Sequence, residues 1–186
     1  MFTADNELIR ARDYGLLGMA LNVIGTIISP FIHVSFILNI TGILLIALSI
    51  KIISDYYGNS IPFKYAIAGL ITSIIGYLIS LFFILPAFPV RGFGILSLIF
   101  AAGLIILTLF LSSIFLYLAY DEISELTGID EFHTGAVLIL IGLILTIILI
   151  GFLLMFIGIV FIFIGYNKLP YRAKTKSIDT DFYSNQ

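Results

Sequence analysis

Six long apolar stretches, separated by short polar or proline-containing segments, dominate the amino-acid sequence. They lie at residues 14–29, 33–54, 62–85, 93–120, 133–149 and 152–168. Because the hydrocarbon core of a bilayer takes roughly 20 apolar helical residues, this pattern predicts membrane-spanning α-helices. Pro30 separates the first two stretches and Pro86 ends the third, since proline cannot continue the hydrogen-bond ladder of a helix.

The last two stretches form one run from Thr134 to Asn167 without charge or proline, with Gly151 near its middle. A single helix of this length would be about 50 Å long, which exceeds the thickness of a hydrocarbon core. We therefore predict two short spans joined at residues 150–151, and a re-entrant hairpin is the alternative.

Basic residues decide the number of spans and their orientation. With six spans, Arg91 is alone on one side of the membrane and all the other Lys and Arg residues lie on the opposite side. Five spans would export the basic residues of the C-terminal segment. Because cytoplasmic segments are enriched in Lys and Arg, we predict six spans with both termini in the cytoplasm.

The predicted fold is an all-α membrane protein with six transmembrane helices. A cytoplasmic segment (residues 1–13) precedes the transmembrane bundle (14–170), and a polar C-terminal tail (171–186) follows it. The bundle consists of hairpins at about 14–54, 62–120 and 133–168. The N-terminal segment is polar and acidic, unlike a signal peptide, so the first stretch is expected to remain as a span. The expected location is the cell membrane.

Glycines recur at matching places in the predicted hairpins. Between the first and third hairpins, the matching pairs are Gly18 with Gly135, Gly25 with Gly142, and Gly42 with Gly158. The middle hairpin keeps the same spacing at Gly69 and Gly76 and carries Gly103 in its second helix. Two helix exits also match, as Ile53-Ser54-Asp55-x-x-Gly58 and Ile123-Ser124-Glu125-x-x-Gly128. We therefore predict three repeats of one helical hairpin.

These glycines are predicted to pack helices rather than to form a pore or a ligand cradle. A spacing of seven residues is close to two helical turns, so each glycine pair lies on one helix face. Glycine lets helix backbones approach closely in lipid. Gly58 and Gly128 stand where a left-handed helix stop is expected, and Asp13 and Asp130 can cap the helices that follow them.

Three sequence runs carry a resemblance to a known family. They are Ile52-Ile53-Ser54-Asp55-Tyr56-Tyr57-Gly58; Thr127-Gly128 with Phe132-His133-Thr134-Gly135; and Ile141-Gly142-x-Ile144-Leu145-Thr146-Ile147-Ile148-Leu149-Ile150-Gly151-Phe152, closing at Leu169-Pro170. In these runs the chain resembles an archaeal family of uncharacterised integral membrane proteins, the domain-of-unknown-function 996 family. The resemblance covers about residues 14–170. It implies a multi-span archaeal membrane protein and supplies no activity or catalytic residue.

Composition excludes several classes of function. The chain is 61% hydrophobic and 11% charged, with a mean hydropathy of +1.19, whereas soluble domains are about a quarter charged. A net charge of -2 leaves no basic surface for nucleic acid. The absence of Cys removes thiolate chemistry, and His33 and His133 are predicted on opposite faces of the membrane. We expect no cofactor and no metal site.

Polar residues inside the predicted spans are few and neutral. Every Asp, Glu, Lys and Arg lies at or outside a helix end, which argues against proton-coupled or ion-coupled transport. Asn22, Asn39, Thr72 and Thr146 either line a path for a neutral solute or form interhelical hydrogen bonds. We favour hydrogen bonding between helices.

An acidic connection over residues 121–131 is the one segment that suggests metal binding. Asp121 and Glu125 share a helix face, and carboxylate oxygens suit divalent cations. The spacing matches no known metal-binding loop, so a solvated helix end that restarts at Asp130 is the favoured interpretation. His33 is expected at the interface, and Arg91 is expected to anchor to lipid head groups.

Among the function classes, an enzyme fits the sequence least. It contains no GxSxG, HExxH or P-loop motif and no paired intramembrane carboxylates. A channel or uniporter for a small neutral solute or ion is the alternative, because repeated hairpins also build transporters. We predict a non-catalytic structural or accessory subunit. Its expected partners are membrane lipids and other membrane protein subunits, or further copies of itself.

Overall fold

The computed structural model describes residues 4–28, 35–84, 93–148 and 150–183, and within these ranges the chain is helical with no β-strand. The α-helices are α1 (Ala4–Ile28), α2 (Ser35–Tyr56), α3 (Ile61–Ile84), α4 (Phe93–Thr127), α5 (Asp130–Ile144) and α6 (Ile150–Tyr183). A short 3₁₀-helix, Leu145–Ile148, follows α5. The prediction of an all-helical protein is confirmed for this part of the chain.

Three helices extend well beyond the apolar stretches that predicted them. α1 begins at Ala4 rather than near residue 14, α4 ends at Thr127 rather than near residue 120, and α6 ends at Tyr183 rather than near residue 168. Hydropathy marks where a helix meets lipid, whereas the helix itself continues through polar residues that favour helical backbone. Asp13 therefore lies inside α1, and the prediction that it caps a helix is wrong.

The connections α2–α3 and α4–α5 are tight turns built on one glycine each. Gly58 has a φ of 66° and Gly128 a φ of 67°, which confirms the predicted left-handed helix stops. Burial raises the pKa of Tyr57 beside the first turn, so its phenol stays neutral. After the second turn, Ile129 is the N-cap of α5, so the prediction that Asp130 caps this helix is wrong.

The return between α5 and α6 comes slightly earlier than predicted. The chain leaves α-helical geometry in the 3₁₀-helix Leu145–Ile148, and α6 begins at Ile150. The Thr146 hydroxyl donates to the carbonyl oxygen of Gly142 at 2.9 Å. Such a side-chain bond competes with the backbone ladder and accompanies bending of a helix. α5 has 15 residues, which is about 22 Å of helix and shorter than a hydrocarbon core.

Neighbouring helices pack against one another along the chain. Within the described residues α1 packs on α2, α3 on α4 and α5 on α6, while α2 contacts α3, α4 contacts α5, and α6 closes on α1. α4 also contacts α2 and α6. We call the end that carries the turns at residues 57–60 and 128–129 the turn end, and the opposite end the far end.

The hydrophobic core lies at the turn end. It joins parts of five helices, and its largest fully buried members are Leu8, Ile50, Ile53, Ile123, Ile129, Phe132, Ile162, Tyr166 and Leu169. Burying a large apolar side chain stabilises a fold by about 2 kcal/mol, so this end holds the helices together.

Large apolar side chains remain exposed toward the far end. Ile95 exposes 73%, Leu96 69% and Ile106 68% of its surface. Within the described residues, three segments are long and apolar enough to cross a bilayer: Ile37–Tyr56, Leu98–Thr127 and Ile150–Leu169. Ile61–Gly76 is a shorter apolar helix. Helices of this length and composition are typical of membrane proteins.

Candidate functional site

Glycines form the closest contacts between α1 and α2 and between α5 and α6. A Cβ atom added to Gly18 would lie 2.7 Å from the carbonyl oxygen of Gly42, and one added to Gly42 would lie 2.6 Å from that of Gly18. Gly135 and Gly158 form the same reciprocal contact, at 2.7 and 2.6 Å. Any larger residue at these four positions would push two backbones apart.

The other predicted packing glycines of these two helix pairs also lie in contacts. A Cβ on Gly142 would lie 2.7 Å from the carbonyl oxygen of Gly151, where the chain turns back into α6. A Cβ on Gly25 would collide with the side chain of Asn39 on α2. Both glycines therefore permit a close approach of neighbouring segments.

The contact between α3 and α4 joins glycines to hydroxyl residues. A Cβ on Gly69 would lie 3.3 Å from the Ser112 carbonyl oxygen and 3.2 Å from the side chain of Phe115. Gly76 faces the side chain of Thr108 too closely to accept a Cβ. This helix pair thus has glycine on one side of the contact only.

Gly103 differs from the other predicted packing glycines. A Cβ added there would meet no atom within 4 Å, so the described residues give its predicted packing role no support. On α4, the residue that lies opposite Gly69 is Ser112. Sequence reasoning did not single out Ser112, although Gly42 and Ser112 stand equally far before the two matching helix exits.

Three buried hydroxyl groups lie at the centre of the turn end, and we call them the hydroxyl cluster. Tyr120 of α4 and Tyr166 of α6 place their hydroxyl oxygens 3.3 Å apart. The hydroxyl of Ser49 on α2 donates to the carbonyl oxygen of Ala11 at 2.6 Å and lies within hydrogen-bonding reach of Tyr166. The three side chains are at most 2% exposed. One of these bonds joins α1 to α2 and the other joins α4 to α6.

Phe132 of α5 joins the hydroxyl cluster through its ring. It stacks on Tyr120 with ring centroids 5.8 Å apart, and it meets the ring of Tyr166 edge-on at 5.1 Å. Gly15 and Gly165 leave room for these rings, since a Cβ on Gly15 would overlap Tyr166 and one on Gly165 would lie 3.1 Å from Phe132. Side chains therefore fill the centre of the turn end.

The four neutral polar residues singled out from the sequence do not form one group. Asn22 and Asn39 lie in the contact between α1 and α2, opposite glycines of the partner helix. Thr72 is half-buried on α3, and Thr146 donates to a backbone carbonyl one turn earlier. The side-chain oxygen of Asn39 is buried and has no hydrogen-bond partner among the described residues. The four residues thus belong to different helix pairs.

A chain of hydroxyl bonds also links α3 to α4. Ser73 donates to the hydroxyl oxygen of Ser112 at 2.7 Å, and Ser112 donates to the carbonyl oxygen of Gly69 at 3.0 Å. Hydrogen bonds between small residues of this kind hold apolar helices together in lipid. His33 and Arg91, which the sequence assigned to interfacial roles, lie outside the described residues.

A hydrogen bond and an ion pair link α5 to α4 and α6 at the turn end. Asp121 of α4 lies 2.6 Å from the Nδ1 atom of His133 on α5, and Lys168 of α6 pairs with Glu131 of α5. The acidic connection thus meets basic side chains of the neighbouring helices. Among the residues that the structure describes, no three Asp, Glu or His side chains come together to hold a metal ion.

A surface cavity of about 220 Å³ opens between α1 and α2 at the turn end. Its lining consists of Glu7, Arg10, Tyr14, Leu48, Ile52 and Asp55. The first three residues lie on one face of α1 and the last three on one face of α2, since residues three, four or seven apart lie on the same side of a helix. Sequence reasoning missed this cavity because it placed the start of the first helix near residue 14. The acidic and basic residues before that position lie on the face that lines it.

Comparisons with known proteins indicate a family but no activity. A family described as "Protein of unknown function (DUF996)" has a sequence model that matches residues 38–160, from α2 into α6. An uncharacterised protein of Methanocaldococcus jannaschii is 26% identical over 179 residues, and the alignment covers 92% of this chain and 98% of that protein. No solved structure matches the chain.

Proposed function

The chain belongs to the DUF996 family, as the sequence resemblance predicted, and we propose that it is a multi-pass protein of the cell membrane without catalytic activity. In this proposal it serves as a structural or accessory subunit that packs against other membrane proteins. The observation that carries the proposal is the filled centre of the turn end, where Tyr120, Phe132 and Tyr166 are buried against one another.

A filled centre favours packing over transport. A path for a solute needs polar groups along a continuous opening. Here Asn22 and Asn39 lie between two tightly packed helices, and Thr146 bonds to its own backbone. These residues do not line one continuous opening, which supports packing over the channel alternative.

The buried hydroxyl groups also suit packing better than catalysis. A serine nucleophile needs a base beside it and an orienting group behind that base. Ser49 instead donates to the carbonyl oxygen of Ala11 and lies beside the phenol of Tyr166. Buried hydroxyl groups whose hydrogen bonds are satisfied inside the core make that core more specific, and this supports a structural role.

We further propose six spans with both termini in the cytoplasm. The basic residues Arg10, Lys51, Lys64 and Lys168 belong to α1, α2, α3 and α6, each near the turn end. Concentration of basic residues at one end supports a cytoplasmic turn end. The short α5 fits a span only where the bilayer is locally thin or where neighbouring helices surround it.

The matching of buried positions supports three repeated hairpins around a pseudo-threefold axis. Ile50, Tyr120 and Tyr166 stand at matching positions of α2, α4 and α6, and each is at most 2% exposed. A second set of matching positions, one turn further along, is Ile53, Ile123 and Leu169. One hairpin cannot bury its inner face alone, whereas three copies in a ring bury it against one another.

The short connections between the helices support a role as an accessory subunit. The α2–α3 and α4–α5 turns are a few residues long, and the far-end surface is apolar. A protein of this kind meets its partners through helix faces inside the bilayer. Other membrane protein subunits, or further copies of the chain, would pack on these faces.

The test begins with an alkaline wash of native membranes, which leaves an integral protein in the pellet. Extraction in a mild detergent, native gel separation and mass spectrometry then identify what migrates with the chain. We expect a stoichiometric set of other membrane proteins in the same band. Migration as a monomer or homo-oligomer would overturn the accessory role while leaving the membrane location intact. Liposome flux assays would then test the channel alternative.

A further inference from the structure

The cavity between α1 and α2 offers a charged site whose two ends differ in polarity. We infer that it binds the head group of a zwitterionic membrane lipid, with the phosphate at Arg10 and a primary ammonium group between Glu7 and Asp55. This inference rests on the membrane placement proposed above, because the turn end then lies at the cytoplasmic interface. It adds a defined ligand site to a protein whose proposed role is packing.

The cavity lining is layered along the helix axes. The bond between Ser49 and Ala11 fixes the register of α1 against the antiparallel α2. From the middle of the bundle outward, the layers are Tyr14 with Leu48, Arg10 with Ile52, and Glu7 with Asp55. The lining therefore changes from apolar, to cationic, to anionic toward the helix ends.

A zwitterionic phospholipid has the same order of groups. Its hydrocarbon chains lie innermost, its phosphate lies at the interface, and its ammonium group lies outermost. Glu7 and Arg10 are three residues apart, which is about 4.5 Å along a helix axis. A two-carbon linker between phosphate and ammonium spans a similar distance, so both charges of the head group find opposite charges at once.

Two of the three charged side chains that line the cavity are available for a ligand. Among the described residues, Glu7 and Arg10 form no ion pair with each other or with another side chain. A guanidinium group binds phosphate through paired hydrogen bonds. Asp55 accepts a hydrogen bond from Lys51 at 2.8 Å and keeps a second oxygen for the ammonium group of the ligand.

The lining also distinguishes between head groups. A primary ammonium donates hydrogen bonds to the carboxylates of Glu7 and Asp55, whereas a quaternary ammonium has no N–H group to donate. An uncharged glycerol head group leaves the carboxylate of Glu7 without a cationic partner. The cavity should therefore prefer an ethanolamine head group to choline or glycerol head groups on the same hydrocarbon chains.

Native mass spectrometry of the full-length protein in detergent tests this preference. Lipids with identical chains and ethanolamine, choline or glycerol head groups are added at equal concentration. We expect the ethanolamine lipid to be retained most strongly. Arg10→Gln should weaken its retention about tenfold, which is the loss expected for a hydrogen bond between charged groups. Glu7→Gln should remove the preference for ethanolamine over glycerol.

Lys64→Gln is the matched control, because Lys64 is an exposed basic residue at the same end of the bundle and does not line the cavity. Its lipid retention should equal that of the unmodified chain. Arg10 is exposed, so the thermal transition of Arg10→Gln should be unchanged and should exclude a folding defect. Equal retention of the three lipids, or unchanged retention in Arg10→Gln, would overturn the inference.

A binding experiment with a soluble compound distinguishes a lipid ligand from a free metabolite that carries the same head group. Phosphoethanolamine carries both charges but no hydrocarbon chain, and we expect it to bind far more weakly than the lipid. Binding as tight as that of the lipid would overturn the lipid assignment. Partner proteins that migrate with Arg10→Gln as before would show that the accessory role stands independently of this site.

Discussion

Gly42 and Gly103 both lie inside long helices, yet their surroundings are opposite. Gly42 touches the backbone of α1 through Gly18, whereas Gly103 faces open space within the described residues. In a helix interior, alanine is favoured over glycine by about 1 kcal/mol in the absence of other contacts. Whether a glycine-to-alanine substitution raises or lowers the stability of the protein therefore depends on what lies opposite the glycine.

Gly42→Ala should destabilise the protein by about 1–3 kcal/mol, because the new methyl group overlaps the Gly18 backbone and overpacked contacts cost this much. Gly103→Ala is the matched control and should leave stability unchanged or raise it slightly. Unfolding in detergent, followed by circular dichroism, measures both variants. Equal stability of the two variants would contradict the proposed contact between α1 and α2.

The hydroxyl cluster allows a second test at the same scale. Tyr166→Phe keeps the ring in its place but removes the hydroxyl that lies 3.3 Å from that of Tyr120. We expect a loss of about 1 kcal/mol in the free energy of unfolding, the usual contribution of a hydrogen bond. Tyr65→Phe, at a half-buried position on α3, is the control and should change stability less. A larger loss of stability in Tyr65→Phe than in Tyr166→Phe would show that the hydroxyl cluster does not stabilise the fold.

At the scale of helices and turns, backbone conformation rather than packing decides how the helices end. Gly58 has positive φ, and a Cβ added there would meet no atom within 4 Å. Its requirement for glycine is therefore purely conformational. Gly128 also has positive φ, and its amide donates to the carbonyl oxygen of Ser124 at 2.8 Å, whereas that of Gly58 donates to the carbonyl oxygen of Asp55 at 3.2 Å.

Gly58→Ala should lower stability by about 1 kcal/mol, because the left-handed region costs an L-residue this much. Gly58→Asn should restore most of the loss, since asparagine tolerates this region better than alanine does. Thermal transitions of the three proteins in one detergent provide the measurement. A loss of the same size in both variants would point to a steric rather than a conformational cause.

At the scale of the whole molecule, the helices form a ring that is joined at one end. The buried core lies at the turn end, and ion pairs such as Glu131 with Lys168 surround it. Surface ion pairs of this kind contribute at most about 1 kcal/mol each, so apolar burial is the main stabilising term. The far end carries apolar surface suited to lipid or to partner helices.

Cysteine labelling tests the proposed six-span topology, because the chain has no native cysteine. Ser60→Cys and Glu125→Cys place thiols at exposed positions of the turn end, and Arg91→Cys places one at the opposite predicted side. An impermeant maleimide should label the first two only in inside-out vesicles and the third only in right-side-out vesicles. Labelling of all three from the same side would require a different number of spans.

Much of the local structure was predictable, whereas most of the site was not. The stops at Gly58 and Gly128 follow from local backbone preferences, and the structure confirms them. The cap assigned to Asp13 is wrong because hydropathy underestimated the length of α1. The layer that contains Arg10 was missed for the same reason, since its place on a helix face depends on where that helix begins.

The helical class, the apolar segments, the turn glycines and the family could be predicted from the amino-acid sequence, because each depends on composition, on local backbone preference or on direct similarity. The packing of α6 on α1, and the close approach of Ser49, Tyr120 and Tyr166, became visible only in the folded chain. The order of residues in an apolar helix says almost nothing about which other helix it will contact. The pairing of such helices depends on close contacts between residues far apart in sequence.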